Sequence, residues 1–231
     1  MMTMAYVVGS LARRHGYVMD TDLEDHCKLF IDVELYSDVS TLPIDLCYYR
    51  AYVMKYALKP EFESDQMLFS VPSTRKPQCL PQWNATDVGR GIIQGSVSDE
   101  NSYAAGGVLG HAGLFSTGKG MLSFVKRILE NDVVNATTLK TFGTVANSTF
   151  SSRALGWDTN YPDGYSCGTL APETFMHLGY TGTMVCIDPT RDLALVLLTN
   201  RTYPNKDKTS VGKTRHLFST FVQQIYDKFY V

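Results

Sequence analysis

The residues best suited to chemistry lie in His177-Leu178-Gly179-Tyr180-Thr181-Gly182-Thr183, where one imidazole stands beside two glycines and hydroxyl side chains. An imidazole can orient a substrate or share in proton transfer at neutral pH. Glycines let backbone N–H groups approach a ligand with no Cβ in the way. On spacing alone, a single strand histidine is more often a packed or surface residue. A second constellation runs from Gly91 to Thr117, GIIQGSVSDENSYAAGGVLGHAGLFST, with Asp99, Glu100, Asn101 and His111. Side chains of Asp and Asn in such loops commonly bond to local backbone, so an Asx-type turn is the structural alternative for Asp99 and Asn101. His15, His26 and His216 lack metal-ligand spacing, and neither a metal nor another cofactor is expected.

The elements that must position these groups are centred on Phe175 to Asn200, FMHLGYTGTMVCIDPTRDLALVLLTN. Thr183 to Ile187 and Leu193 to Leu198 read as strands, the second nearly unbroken in apolar residues, as in a strand covered on both faces. Between them Asp188-Pro189-Thr190-Arg191-Asp192 supplies a proline with preset φ and an aspartate able to cap the bend, which predicts an antiparallel hairpin. Helices are expected over Met4 to Arg14, Asp22 to Val33 and Tyr48 to Leu58. Further ones are expected from a Ser116 or Thr117 cap through Glu130, and after an Asn135 cap. Ala154 to Thr159 suggests a strand. Ser210 to Tyr230 reads as an amphipathic helix with Val211, Leu217, Phe218, Phe221, Val222, Ile225 and Phe229 on one side, covering the sheet.

A chain of 231 residues with 44% hydrophobic content can bury one sizeable core, and residues 1–231 are expected to form a single α+β domain. The formal net charge is −2 and the basic residues are scattered, so nucleic acid is an improbable partner. No apolar run approaches the roughly 18 residues of a membrane span, and the protein is expected to be soluble. Its first residues are apolar before Arg13-Arg14, the reverse of a secretory signal, which leaves a cytoplasmic location as the default. Five widely spaced cysteines without a CxxC pair argue for neither a disulfide framework nor a zinc site.

His177-Leu178-Gly179 leading into TGTMVCIDPTRDLALVLLTNR resembles the His-x-Gly or Lys-Thr-Gly strand of the serine β-lactamase, penicillin-binding protein and esterase superfamily. Gly91 to Thr117 is similar to the segment before a cleft-side helix in its class C-like members. The resemblance covers about Leu80 to Val231. It implies a sheet flanked by helices, an amide or ester acyl substrate of small-molecule or peptide-like kind, and catalytic roles for His177 and for the Tyr180 N–H, which would form half of an oxyanion hole. Gly179, Thr181, Asp99, Asn101 and His111 would be the substrate-binding residues. Leu178 replaces a threonine usual in the family, and Ser98 replaces a histidine often found before the aspartate.

The family's chemistry also needs a serine with a lysine one helical turn later. The search for that pair returns Ser73-Thr74-Arg75-Lys76, flanked by Pro72 and Pro77, which disfavour a helix, while Ser116 is expected as a helix cap. The family's Tyr-x-Asn loop would precede the Met4 to Arg14 helix and is absent. The chain is therefore expected to be a member missing its N-terminal, nucleophile-bearing portion. It should lack turnover by itself, or be a non-catalytic binding domain of the same fold. With apolar surface left uncovered, it should be marginally stable and prone to self-association.

Overall fold

The computed structural model describes residues 66–104, 106–160, 166–205 and 211–230, together with Arg50, Val53 and Leu58. The helices expected over Met4–Arg14 and Asp22–Val33, and most of the one over Tyr48–Leu58, lie outside these residues. Two short antiparallel pairs flank the main body: β1 (Met67–Leu68) with β4 (Phe115–Ser116), and β2 (Trp83–Ala85) with β3 (Gly91–Ile93). The principal sheet is antiparallel throughout, in the order β5 (Asp158–Thr159), β6 (Phe175–Leu178), β7 (Met184–Asp188) and β8 (Leu193–Leu197). Its helices are α1 (Glu100–Ala104), α2 (Gly118–Leu129), α3 (Ala136–Gly143) and α4 (Gly212–Tyr230).

Strand side chains alternate between faces, so each strand of the sheet feeds two cores. Met176, Met184, Cys186 and Leu195 face α4, where Phe218 and Val222 pack on them. Phe175, Val185, Ile187 and Val196 face the other way, against Val125 and Ile128 of α2 and Leu139 of α3. The expected hairpin forms with Met184 opposite Leu197 and Asp188 opposite Leu193. Asp188 is fully buried, and its Oδ1 accepts from the Thr190 N–H (3.0 Å) and hydroxyl (2.6 Å), capping the bend. Its Oδ2 accepts from the Ala171 N–H at 3.1 Å, which ties the turn to the segment before β6.

The helix starts are also as expected. Thr117 accepts from the Gly120 N–H at 3.1 Å to cap α2, and Asn135 accepts from the Thr138 N–H at 2.9 Å to cap α3. The strand expected over Ala154 to Thr159 shortens to Asp158–Thr159. The Ala154 N–H instead donates to the Trp157 carbonyl, making a turn, and Ala154 meets Val145 in an isolated bridge.

Helix α4 covers the sheet as expected, and Phe218 and Val222 of its apolar side pack on it, but the buried face is turned from the centre of that side. Arg215, Ser219 and Gln223, four residues apart, are buried, while Leu217, Phe221, Ile225 and Phe229 are exposed. The surface beneath the helix is rich in backbone carbonyls that need donors. Ser219 Oγ donates to the Ser166 carbonyl at 2.9 Å, Gln223 Nε2 to Thr169 at 3.1 Å, and Arg215 to the turn after β6. Satisfying those carbonyls selects the polar stripe for burial.

The cysteine expectation is also corrected, because Cys167 and Cys186 are disulfide-bonded and wholly buried. The chain after residue 166 crosses the α4 face of the sheet and brings Cys167 within 6.0 Å (Cα to Cα) of Cys186 on β7. Spacing in the sequence could not show that approach. A cross-link between residues 19 apart restricts the unfolded chain by an amount worth about 3 kcal/mol. We expect peptide mapping without reductant to recover a linked Cys167–Cys186 pair, and Cys167→Ser to lower unfolding stability by about that amount.

Candidate active site

Between the end of the principal sheet and the 75–82 loop lies a cleft of about 600 Å³. The sheet side contributes His177, Gly179, Thr181, Thr199 and Asn200, and the opposite wall contributes Cys79, Gln82, Ser116, Thr117 and Met121. Strand β6 delivers His177 next to its last residue, and the chain then reverses over Gly179 to Thr183 into β7. Inside the turn the Gly179 N–H donates to the Thr183 carbonyl (2.8 Å) and the Gly182 N–H to the Gly179 carbonyl (3.0 Å). Neither glycine can carry a side chain in this turn: a Cβ on Gly179 would stand 2.0 Å from Thr183 Oγ1, and one on Gly182, at φ +111°, 2.4 Å from Thr199 Oγ1.

Two arginines hold the turn from outside, and neither was singled out from the sequence. Arg201 donates from Nε to the Tyr180 carbonyl and from its backbone N–H to the Thr181 carbonyl, each at 2.8 Å. Its guanidinium lies 4.7 Å from the centroid of the Tyr180 ring. Arg215 donates to Gly179 at 2.8 Å, to Thr183 at 3.0 Å and to Gly182 at 3.3 Å. Its one sequence signal was a cation in register with Ser219 and Gln223 on a helix whose apolar residues point elsewhere. Tyr180 is 63% exposed, and its backbone N–H donates to nothing among the described residues.

Half-burial in the cleft wall pushes the His177 imidazole below its ordinary value of 6.5; the Leu178 carbonyl works the other way and the nearby Arg153 charge adds to the lowering. Its Nδ1 lies 3.1 Å from the Leu178 carbonyl, which can only accept, so Nδ1 carries the proton and Nε2 holds the lone pair of the neutral ring. The imidazole is therefore a neutral base at pH 7 on the cleft wall.

Asp99, Asn101 and His111 are grouped apart from that wall and do not line the cleft. Asp99 Oδ1 accepts from the Ser102 N–H at 2.7 Å, which starts α1, and pairs with His111 Nε2 at 3.0 Å. Partial burial works to raise the Asp99 pKa, but the Ser102 N–H and His111 outweigh it and hold the carboxyl below the usual carboxylate range. Asn101 lies exposed in α1. This loop reaches the cleft through its last residues, Leu114 to Thr117.

Ser73 is exposed, absent from the cleft lining, and followed by a tight turn in which the Arg75 and Lys76 N–H groups both donate to the Pro72 carbonyl. The Ser-x-x-Lys spacing in fact recurs at Ser116–Lys119, Ser123–Lys126 and Ser210–Lys213. Of the described pairs, Ser116–Lys119 alone has its serine on the cleft. Ser116 ends β4 ahead of the α2 cap, so Lys119 does not stand one helical turn beyond it, and its hydroxyl donates to the Thr117 carbonyl at 3.1 Å. Ser123 lies within α2, where Lys126 faces solvent beside Glu130. Among the described residues no three of His, Cys, Asp and Glu gather to hold a metal, and no helix is long and apolar enough to cross a membrane.

The His177 environment fixes a pH dependence. Between its lowered folded value and 6.5 the unfolded chain binds more proton than the folded one, so stability rises with pH across that window. We expect NMR titration to place His177 below 6.5, and the His177 contribution to be whole above 6.5 and to fade as pH drops through the folded value. His177→Gln should flatten that part of the stability profile.

The family model Beta-lactamase matches residues 57–218. A curated relative in Escherichia coli (strain K12), named "Putative D-alanyl-D-alanine carboxypeptidase", is 36% identical over 138 residues, which is 55% of this chain and 31% of that protein. A Salmonella gallinarum protein of the same name is 38% identical over 120 residues, 47% of this chain and 27% of its own length. The chain thus spans less than a third of these curated relatives. Simvastatin synthase (LovD) from Aspergillus terreus, in its LovD6 mutant form, superposes with a TM-score of 0.55 at 15% identity, over 80% of this chain and 53% of that one, a likeness of fold. The residues matched by the family model contain both the cleft strand and the loop that ends on its rim, and the chain belongs to the beta-lactamase family, within the serine β-lactamase and penicillin-binding protein-like superfamily.

Proposed function

We propose that this chain carries one wall of the acyl-transfer site of a serine hydrolase acting on amide or ester substrates, and that by itself it binds without turnover. The observation that carries the proposal is the clamped turn Gly179 to Thr183, whose Tyr180 N–H has no acceptor among the described residues and lies between the cleft-lining Gly179 and Thr181, near His177. A preorganised donor of this kind stabilises charge that develops only in the transition state. His177 would hold or pass a proton through Nε2, and Gly179 and Thr181 would face the substrate. Asp99, Asn101 and His111 would shape the loop whose end forms the opposite rim. The name of the Escherichia coli relative suggests a peptide-like acyl group ending in D-alanine as the substrate class.

The second reading, a binding domain without chemistry, is favoured by the serines. Ser73 faces solvent, and Ser116 has no lysine one helical turn on to take its proton. The proposal leaves an activated nucleophile to chain outside the described residues. It also includes self-association through the exposed stripe Leu217, Phe221, Ile225 and Phe229.

Nitrocefin and p-nitrophenyl butyrate should be hydrolysed by this chain no faster than by buffer, while N-acetyl-D-alanyl-D-alanine should shift the Gly179, Tyr180 and Thr181 amide resonances. Hydrolysis abolished by Ser73→Ala or Ser116→Ala would identify a nucleophile and overturn the absence of turnover. An unperturbed turn at saturating dipeptide would overturn the binding proposal. In sedimentation experiments Phe221→Asp should reduce concentration-dependent association, and a monomeric parent chain would remove that part of the proposal.

A further inference from the structure

We infer that Arg215, reaching from α4 to three carbonyls of the turn, is a positioning residue that keeps the Tyr180 N–H aimed away from the helix and free for a ligand oxygen. A trans peptide is planar, so the carbonyl of one residue and the N–H of the next point in opposite directions. Drawing the Gly179 carbonyl onto Arg215 at 2.8 Å therefore turns the Tyr180 N–H to the far side of the turn. The same guanidinium takes Thr183 at 3.0 Å and Gly182 at 3.3 Å, so this peptide cannot rotate without breaking a shared set of contacts. Arg201 fixes the next carbonyl, that of Tyr180, at 2.8 Å. The result is a donor without a partner among the described residues, next to glycine and threonine residues that line the cleft.

The chemistry of the clamp is particular to arginine. Arg215 is 9% exposed, and no carboxylate pairs with it among the described residues, so its charge is met by carbonyl dipoles. A buried charge is tolerated only where hydrogen bonds replace its water. A planar fork can serve several acceptors in fixed directions, whereas a lysine ammonium on a flexible stem cannot hold the same set. A cation on the carbonyl side also polarises the Gly179–Tyr180 peptide and makes its N–H a stronger donor. Ser219, one turn further along the same buried stripe, donates its hydroxyl to the Ser166 carbonyl and supplies the contrast, since that hydrogen bond anchors the helix to a segment other than the turn.

The inference rests on the proposed acyl-binding cleft for its ligand but not for its geometry, and the test separates the two. Uniformly labelled full chain is compared as parent, Arg215→Met, Arg215→Lys and Ser219→Ala, with β7 and β8 amides as the folding control and N-acetyl-D-alanyl-D-alanine as the probe. In both Arg215 variants the Tyr180 amide should move in chemical shift and the turn amides should exchange faster, while the strand amides hold. Dipeptide affinity should fall about tenfold in Arg215→Met, the loss of one well-placed charged donor set, and recover only in part in Arg215→Lys. Ser219→Ala should leave both Tyr180 readouts unchanged. A folded Arg215 variant with an unaltered Tyr180 resonance overturns the inference, as does Ser219→Ala reproducing its effect or failure of both Arg215 variants to fold. If the parent chain ignores the dipeptide, the acyl-binding proposal fails and the Tyr180 resonance alone decides the role of Arg215.

Discussion

Strand β7 is hydrogen-bonded to a neighbour on each edge and covered on each face, and the other elements are arranged to complete that enclosure. A strand in this position can leave no backbone donor or acceptor unpaired, because water is excluded from it. Its side chains divide the protein into two cores, with Met184 and Cys186 against α4 and Val185 and Ile187 against α2 and α3. The buried Asp188 at its end closes the hairpin and holds the chain before β6. The Cys167–Cys186 bridge fastens the same strand to the segment crossing the α4 face.

The site is set at the other end of that enclosure. Where β6 hands over to β7, five residues must reverse direction against the packed end of α4, and their carbonyls are drawn outward to two arginines. The same turn brings Thr183 Oγ1 against Gly179 and leaves the Tyr180 N–H with no partner among the described residues. Packing and chemistry are thus joined: the contacts that seat the final helix are also those that orient the donor. His177, one residue before the end of β6, takes its neutral state and its tautomer from the same edge of the sheet.

The outer surface of α4 follows from the inner one. A helix has one face to give to the sheet, and the carbonyl-rich ground beneath α4 takes the one that carries Arg215, Ser219 and Gln223 beside Phe218 and Val222. Leu217, Phe221, Ile225 and Phe229 are left exposed as a consequence. The cleft is similarly composite. One wall comes from the sheet, and the other from loops that precede it by up to a hundred or so residues in the chain.

Strand alternation, the Asp188-Pro189 turn and the Thr117 and Asn135 caps are local patterns, and the sequence by itself determined them, together with the family through the Gly91 to Thr117 and His177 to Arg201 segments. His177, Gly179 and Thr181 were picked out through that family resemblance and not by their spacing, and all three line the cleft. Tertiary structure decided what depends on a distant partner. Cys167 meets Cys186 only because two segments cross one sheet face, and Asp99 with His111 pairs inside its own loop instead of lining the cleft. Arg215 looked like an ordinary helix cation until the carbonyls of Gly179, Gly182 and Thr183 were placed against it. Apolar periodicity predicts which stripe of a free helix would avoid water; it cannot register unpaired carbonyls on the surface the helix lands upon, and here those carbonyls determined its orientation.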